Sequence, residues 1–130
     1  MLEMMKASAK LPLNVKIWMG IMMLTFLLHI PYYDSPIHLA NMLAFFLTAM
    51  IIAPIGFAMS KNVNSLAVAH FVAWPIMLAK GVFEYTNGRI DFGTTAGIIL
   101  LAGYAIFAIS LILDFKILMD ELRKVSTASA

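Results

Sequence analysis

Apolar residues fill four long segments of this chain, each about long enough to cross a bilayer, and polar residues punctuate the gaps between them. The first runs from about 17 to 33, with Trp18 at one end and Tyr32 and Tyr33 at the other, where aromatic belts meet the headgroups. No small-x-small cleavage site follows it. His29, Pro31, Tyr32, Tyr33 and Asp34 stand there instead, so the segment reads as a retained span and not a signal peptide. The second runs from about 37 to 59, opens after Pro36, a residue suited to a helix's first turn, and closes at the polar run Ser60 to Ser65. The third covers about 66 to 83 and the fourth about 95 to 118.

Composition sharpens this picture. Hydrophobic residues make up 62 % of the 130 residues, charged residues only 12 %, and the mean hydropathy is +0.91, which a water-soluble fold could not conceal. The expected architecture is an all-α integral membrane protein: an antiparallel four-helix transmembrane bundle with short loops, forming one domain over 1–130. The absence of cysteine removes disulfides, thiolate metal sites and iron–sulfur clusters within this chain. A net charge of +2 and a pI near 9.0 do not indicate nucleic acid, because the basic residues flank apolar spans instead of forming a stripe.

Those flanking charges set the expected orientation. Lys6, Lys10, Lys16, Lys61, Lys116, Arg123 and Lys124 fall on one side of the threaded chain, and only Lys80 and Arg89 on the other. Cytoplasmic flanks hold the excess of Lys and Arg, so the ends 1–16 and 119–130 are both expected to be cytoplasmic. The small polar tail Ser126 to Ala130 is expected to fray. Short loops and the lack of sorting signals suit a bacterial inner (cytoplasmic) membrane.

Between helices in lipid, close contact depends on small residues and a few hydrogen bonds. Ala96, Gly103 and Ser110 recur at seven-residue spacing on the fourth span, and Ala40, Ala44, Ala49 and Ala53 offer a seam on the second, with Asn41 and Thr48 on a neighbouring stripe. No Gly-x-x-x-Gly lies inside a span, so packing within the monomer outweighs a dedicated dimer motif. Pro54 and Pro75 each remove a backbone donor and are expected to bend their helices. The eleven methionines suit adaptable packing, without a copper-binding cluster.

Ionisable groups at membrane depth are costly, which makes them the first candidates for function. Asp114 lies near the cytoplasmic end of the fourth span and His70 about one turn into the third, so antiparallel pairing would bring them to similar depth. The pair could relay a proton or bind a cation, since imidazole titrates near neutrality and a neighbouring carboxylate favours its charged form. The structural alternative has His70 hydrogen-bonded locally and Asp114 meeting Lys116, Lys61 or headgroup water. His29 and His38 close one span and open the next on the opposite side, at the rim, where they could take a metal or haem b. No cofactor is otherwise expected.

A further polar cluster lies in the connection between the third and fourth spans. Phe83-Glu84-Tyr85-Thr86 and Arg89-Ile90-Asp91-Phe92 alternate around Asn87-Gly88, the signature of a β-hairpin. Such a hairpin would set Glu84 opposite Asp91, with Lys80 and Arg89 to neutralise them; Ca²⁺ would find too few ligands there alone. The competing structure continues the third helix to Tyr85 and follows it with an irregular loop.

No phosphate loop, His-Glu-x-x-His or activated nucleophile is present. Three functions follow, in order of preference: a non-catalytic accessory or assembly subunit of a larger membrane complex; a small oligomeric transporter or channel, proton-coupled through His70 and Asp114; and a haem- or quinone-binding protein. In size alone the chain resembles the small multidrug-resistance transporters, which use a glutamate in their first helix, and the first span here has no acid. Its expected partners are the lipid bilayer and either other membrane subunits or further copies of itself, with no nucleic acid.

Overall fold

The computed structural model describes residues 2–129, and all their regular structure is helical. Helix α1 covers Leu2–Ala9 and α2 Leu13–Leu27, the latter followed by a 3-10 turn at Ile30–Tyr32. Helix α3, Pro36–Leu47, continues through a π-helical segment, Thr48–Ile52, into α4, Ala53–Ser60. Helices α5, Ser65–Thr86, and α6, Thr95–Ala128, complete the chain. Four stretches are long and apolar enough to cross a membrane: Leu13–Tyr32, Pro36–Ser60, Ser65–Thr86 and Thr95–Ala128. The described residues are thus all-helical in their regular structure, and four helices apolar enough to span a membrane are what an integral membrane protein requires.

The helix ends follow local chemistry. Pro36 occupies the first turn of α3, where its missing N–H costs nothing. Lys61 adopts the left-handed conformation, φ 55°, that ends α4 and turns the chain towards α5. Asn62 and Asn64 in that turn both donate to the Glu121 carboxylate, at 3.2 and 2.9 Å, tying it to the far part of α6. The Thr94 hydroxyl caps α6 by accepting from the Gly97 N–H at 3.0 Å. Gly97 is obligatory there: a Cβ would stand 1.8 Å from the Asp91 carbonyl oxygen, because the incoming loop lies directly on the first turn.

Several expectations need correction. The hairpin at 83–92 does not form: α5 runs on to Thr86, and Asn87-Gly88 ends the helix with Gly88 at φ 70°. The Asn-Gly signal correctly marks a reversal needing a positive φ, but Lys80 and Glu84 at helical spacing, 3.8 Å apart, support a helix before it. Glu84 therefore does not oppose Asp91. The expected frayed tail is helical to Ala128, with the Thr127 and Ser129 hydroxyls bonded back to the Arg123 and Val125 carbonyls; Ala130 lies outside the described residues. At about 1.5 Å per residue α6 is longer than the roughly 30 Å hydrocarbon layer, so part of it projects beyond. Helix α1 was not anticipated at all; Met4 seats it on Ala53, Phe57 and Ala69.

The two prolines act differently. Freeing a carbonyl in the turn before Pro54 coincides with the widened π-helical segment Thr48–Ile52, whereas Pro75 sits inside α5 without interrupting it. The main core lies between the spans and is aromatic. Phe26 stacks on Phe45 and Phe107, with ring centroids 4.4 and 4.9 Å away, and Phe107 reaches Trp74 at 4.9 Å. Small residues admit this packing: Gly81 lies so close to the Tyr104 ring that a Cβ would come within 2.7 Å of it.

Candidate functional site

The contact between α5 and α6 brings His70 and Asp114 together, with Nδ1 2.5 Å from Oδ2 and both side chains mostly buried. Lys61, a competing partner for Asp114 on sequence grounds, instead meets Glu3 at 3.4 Å. Trp74, one helical turn beyond His70, lies flat on the imidazole at a centroid distance of 3.8 Å and an angle of 11°. The imidazole is thus held between the Asp114 carboxylate on one side and the Trp74 indole face on another. A charged pair in a medium of low dielectric recovers its desolvation cost only with good geometry.

The pair borders a cavity of about 490 Å³. Its lining is largely apolar, with Met19, Met22, Met23 and Phe45 beside Trp18, Trp74 and the His70–Asp114 pair. This size and this balance, a few convergent polar groups in an apolar hollow, suit a small organic ligand. The Trp18 N–H donates to the Ser110 hydroxyl at 3.1 Å, and that hydroxyl donates to the Met22 sulfur at 3.4 Å. Thr48, at the start of the π-helical segment, also lines the cavity and turns its hydroxyl back to the Ala44 carbonyl at 2.8 Å. Both tryptophans of the protein therefore face the same hollow.

His29 and His38 also come together, one just after the end of α2 and one in the first turn of α3. Both are buried, their rings edge-on with centroids 5.2 Å apart, and Tyr32 stacks on His38 at 4.9 Å. The 3-10 turn that follows His29 reverses the chain so that His38 returns against it, a contact that hydropathy along the chain could not reveal. Because the two rings touch, a haem held between them would require them to separate. Among the described residues no three His, Asp or Glu side chains converge as a metal-ligand set.

Of the polar cluster in the connection, Lys80, Glu84 and Arg89 assemble and Asp91 does not. Glu84 is nearly buried and receives Arg89 at 3.2 Å and Lys80 at 3.8 Å. Asp91 instead organises its own turn, accepting from the Gly93 N–H at 2.8 Å. Trp18, Trp74, Asn41 and Tyr104 escaped the sequence reading of the site. An indole four residues after a membrane-depth histidine was the one legible signal among them. Compared with known proteins, the chain matches no family model, no curated sequence and no solved structure.

Proposed function

We propose that this chain is a small proton-coupled membrane transporter that holds an apolar or amphiphilic solute in the cavity beside His70 and Asp114. The observation that carries the reading is the coincidence of a titratable pair and an apolar hollow of about 490 Å³ at one place between the helices. Solute in the hollow alters the surroundings of the pair, and the protonation of the pair alters the polarity of the hollow; that reciprocity is what coupling requires. Four spans enclose little pathway, so the working unit is an oligomer of one-domain protomers. Each protomer is an antiparallel bundle with both termini in the cytoplasm of a bacterial inner membrane. The pairing of His70 with Asp114 and of Gly81 with Tyr104 supports the antiparallel course of α5 and α6, and the seven basic residues on one side support the orientation.

The test uses tetraphenylphosphonium, an apolar cation, on purified protein. Binding quenches the emission of Trp18 and Trp74, and proteoliposomes under a proton gradient accumulate the probe. His70→Ala and Asp114→Asn both lose accumulation. Uptake that is unchanged in both variants removes the reading.

One observation favours the accessory-subunit reading. Exposed Phe83 and Tyr85 at the end of α5, with Arg89 5.9 Å above the Phe83 ring and Phe92 stacked on Tyr85, form a surface suited to another membrane subunit. Co-purification of a stable larger partner in mild detergent, with no probe uptake, would establish it in place of transport.

A further inference from the structure

Five of the seven buried polar side-chain atoms without a hydrogen-bond partner among the described residues belong to four neighbouring side chains: His29 Nε2, His38 Nδ1, both ends of the Asn41 amide and the Tyr104 hydroxyl. The other two, Ser65 Oγ at the start of α5 and Trp74 Nε1 beside His70, lie apart from them. His38 and Asn41 lie one turn apart on α3, and the His29 and His38 rings are in contact. Gly103, the neighbour of Tyr104, lies against the Cε1–Nε2 edge of His29, where an added Cβ would come within 3.1 Å. Unpaired polar groups away from water are expensive, and a cluster of them indicates an occupant.

The chemistry of the atoms identifies that occupant. His29 Nδ1 lies 3.0 Å from the Thr25 carbonyl, which only accepts, so Nδ1 carries the hydrogen and the neutral ring presents a lone pair at Nε2. Tyr104 and the Asn41 amide nitrogen donate; His29 Nε2 and the Asn41 oxygen accept. This mixture suits water, which gives and takes in equal measure and is stable on two to four such partners. It suits a divalent metal less well, because the atoms that face one another are uncharged and Glu84, a carboxylate beside Tyr104, is already paired with Lys80 and Arg89.

An aromatic layer separates this cluster from the cavity. Phe26 stacks on His29 at 5.3 Å and on Phe45 and Phe107, and Phe107 meets Trp74, which covers His70. We propose that His29, His38, Asn41 and Tyr104 enclose a buried water cluster that takes up protons from the lysine-poor face, with Phe26, Phe45 and Phe107 as the gate that must open before a proton reaches the His70–Asp114 pair. The inference rests on the proton-coupled reading and adds the proton's route to it. A proton taken up at His29 Nε2 leaves an imidazolium still held at Nδ1 by Thr25, and its return to water restores the neutral ring. The charged groups acting on the cluster are Asp34, beside His38, and Glu84, beside Tyr104, the latter covered by Lys80 and Arg89.

The protein has three histidines, so ¹⁵N-histidine labelling and water-edited solid-state NMR in bilayers address each ring separately. The expected result is rapid polarisation transfer from water to His29 and His38, with the hydrogen of neutral His29 on Nδ1. Asn41→Leu should reduce the transfer to His38 and cut proton-driven uptake of tetraphenylphosphonium at least fivefold, while quenching of Trp18 and Trp74 by the probe persists. Dry rings at His29 and His38 overturn the proposal, as does a common shift of both rings on adding Zn²⁺ or uptake unchanged by Asn41→Leu. Wet rings in a wild-type protein that neither binds nor moves the probe overturn the transport reading and leave the hydrated site standing.

Discussion

Trp74 lies flat on His70, the two rings 3.8 Å apart between centroids, and the same indole abuts Phe107 of the aromatic layer. A single side chain thus touches both the titratable pair and the barrier behind it. Replacing it with leucine should weaken tetraphenylphosphonium binding about tenfold, in line with the loss of one desolvated cation–π contact of roughly 1–2 kcal/mol. Quenching of the remaining Trp18 measures the change. Unaltered affinity would place the probe elsewhere.

The His70–Asp114 contact spans two helices and shares one proton-bearing interface, so its members should not contribute independently. Removing His70 leaves a mostly buried carboxylate without its partner, and the converse change strands the imidazole. The double-mutant cycle His70→Ala, Asp114→Ala and the pair, followed by thermal unfolding in detergent, should return a coupling of about 0.5–3 kcal/mol. Strict additivity would mean that the two groups act separately.

Gly81 and Tyr104 set the approach of α5 to α6. A methyl group at Gly81 meets the Tyr104 ring at 2.7 Å, so Gly81→Ala should destabilise the protein by about 1–3 kcal/mol, partly restored by adding Tyr104→Leu. Gly20, with nothing within 4 Å of its added Cβ, supplies the control: Gly20→Ala should leave the melting temperature nearly unchanged. Equal effects at both glycines would refute this packing.

Glu84 is the hub of the connection between α5 and α6, and removing its charge releases Arg89. The Arg89 side chain is largely exposed, so the pair adds at most about 1 kcal/mol to stability. Its loss should show more clearly in accessibility. Trypsin should cut the Glu84→Gln variant after Arg89 several-fold faster than the parent, and at the same rate if the ion pair holds nothing in place.

Topology offers a separate check. Reporter tags at the two ends should both be protected or both be accessible in oriented vesicles, and a reporter placed after Gly88 should behave oppositely. Opposite results for the two ends would contradict an even number of crossings.

The four spans were legible because a bilayer imposes one demand that a linear sequence displays directly: a continuous apolar run of sufficient length. Their edges were legible where Pro36, the polar run after Met59 and Gly88 punctuate the chain. The connection misled because Phe-Glu-Tyr-Thr alternates as a strand would, yet four residues are too few to distinguish a strand from the last turn of a helix already carrying Lys80 and Glu84 at helical spacing. Helix α1 was hidden for a related reason, being too short to cross the membrane and stabilised by the contact of Met4 with another part of the chain.

Residue order alone displayed the four apolar spans and the position of each polar group along them, since relative depth follows from position along a helix of known rise. Depth was enough to place His70 and Asp114 at one level. Only the tertiary structure decided what surrounds them, because rotation about each helix axis is set by which side chains interlock between helices, and lipid offers no polar contrast strong enough to write that rotation into the hydropathy pattern. Trp74 over His70, the shared cavity, and the contact of His29 with His38 all belong to that second class.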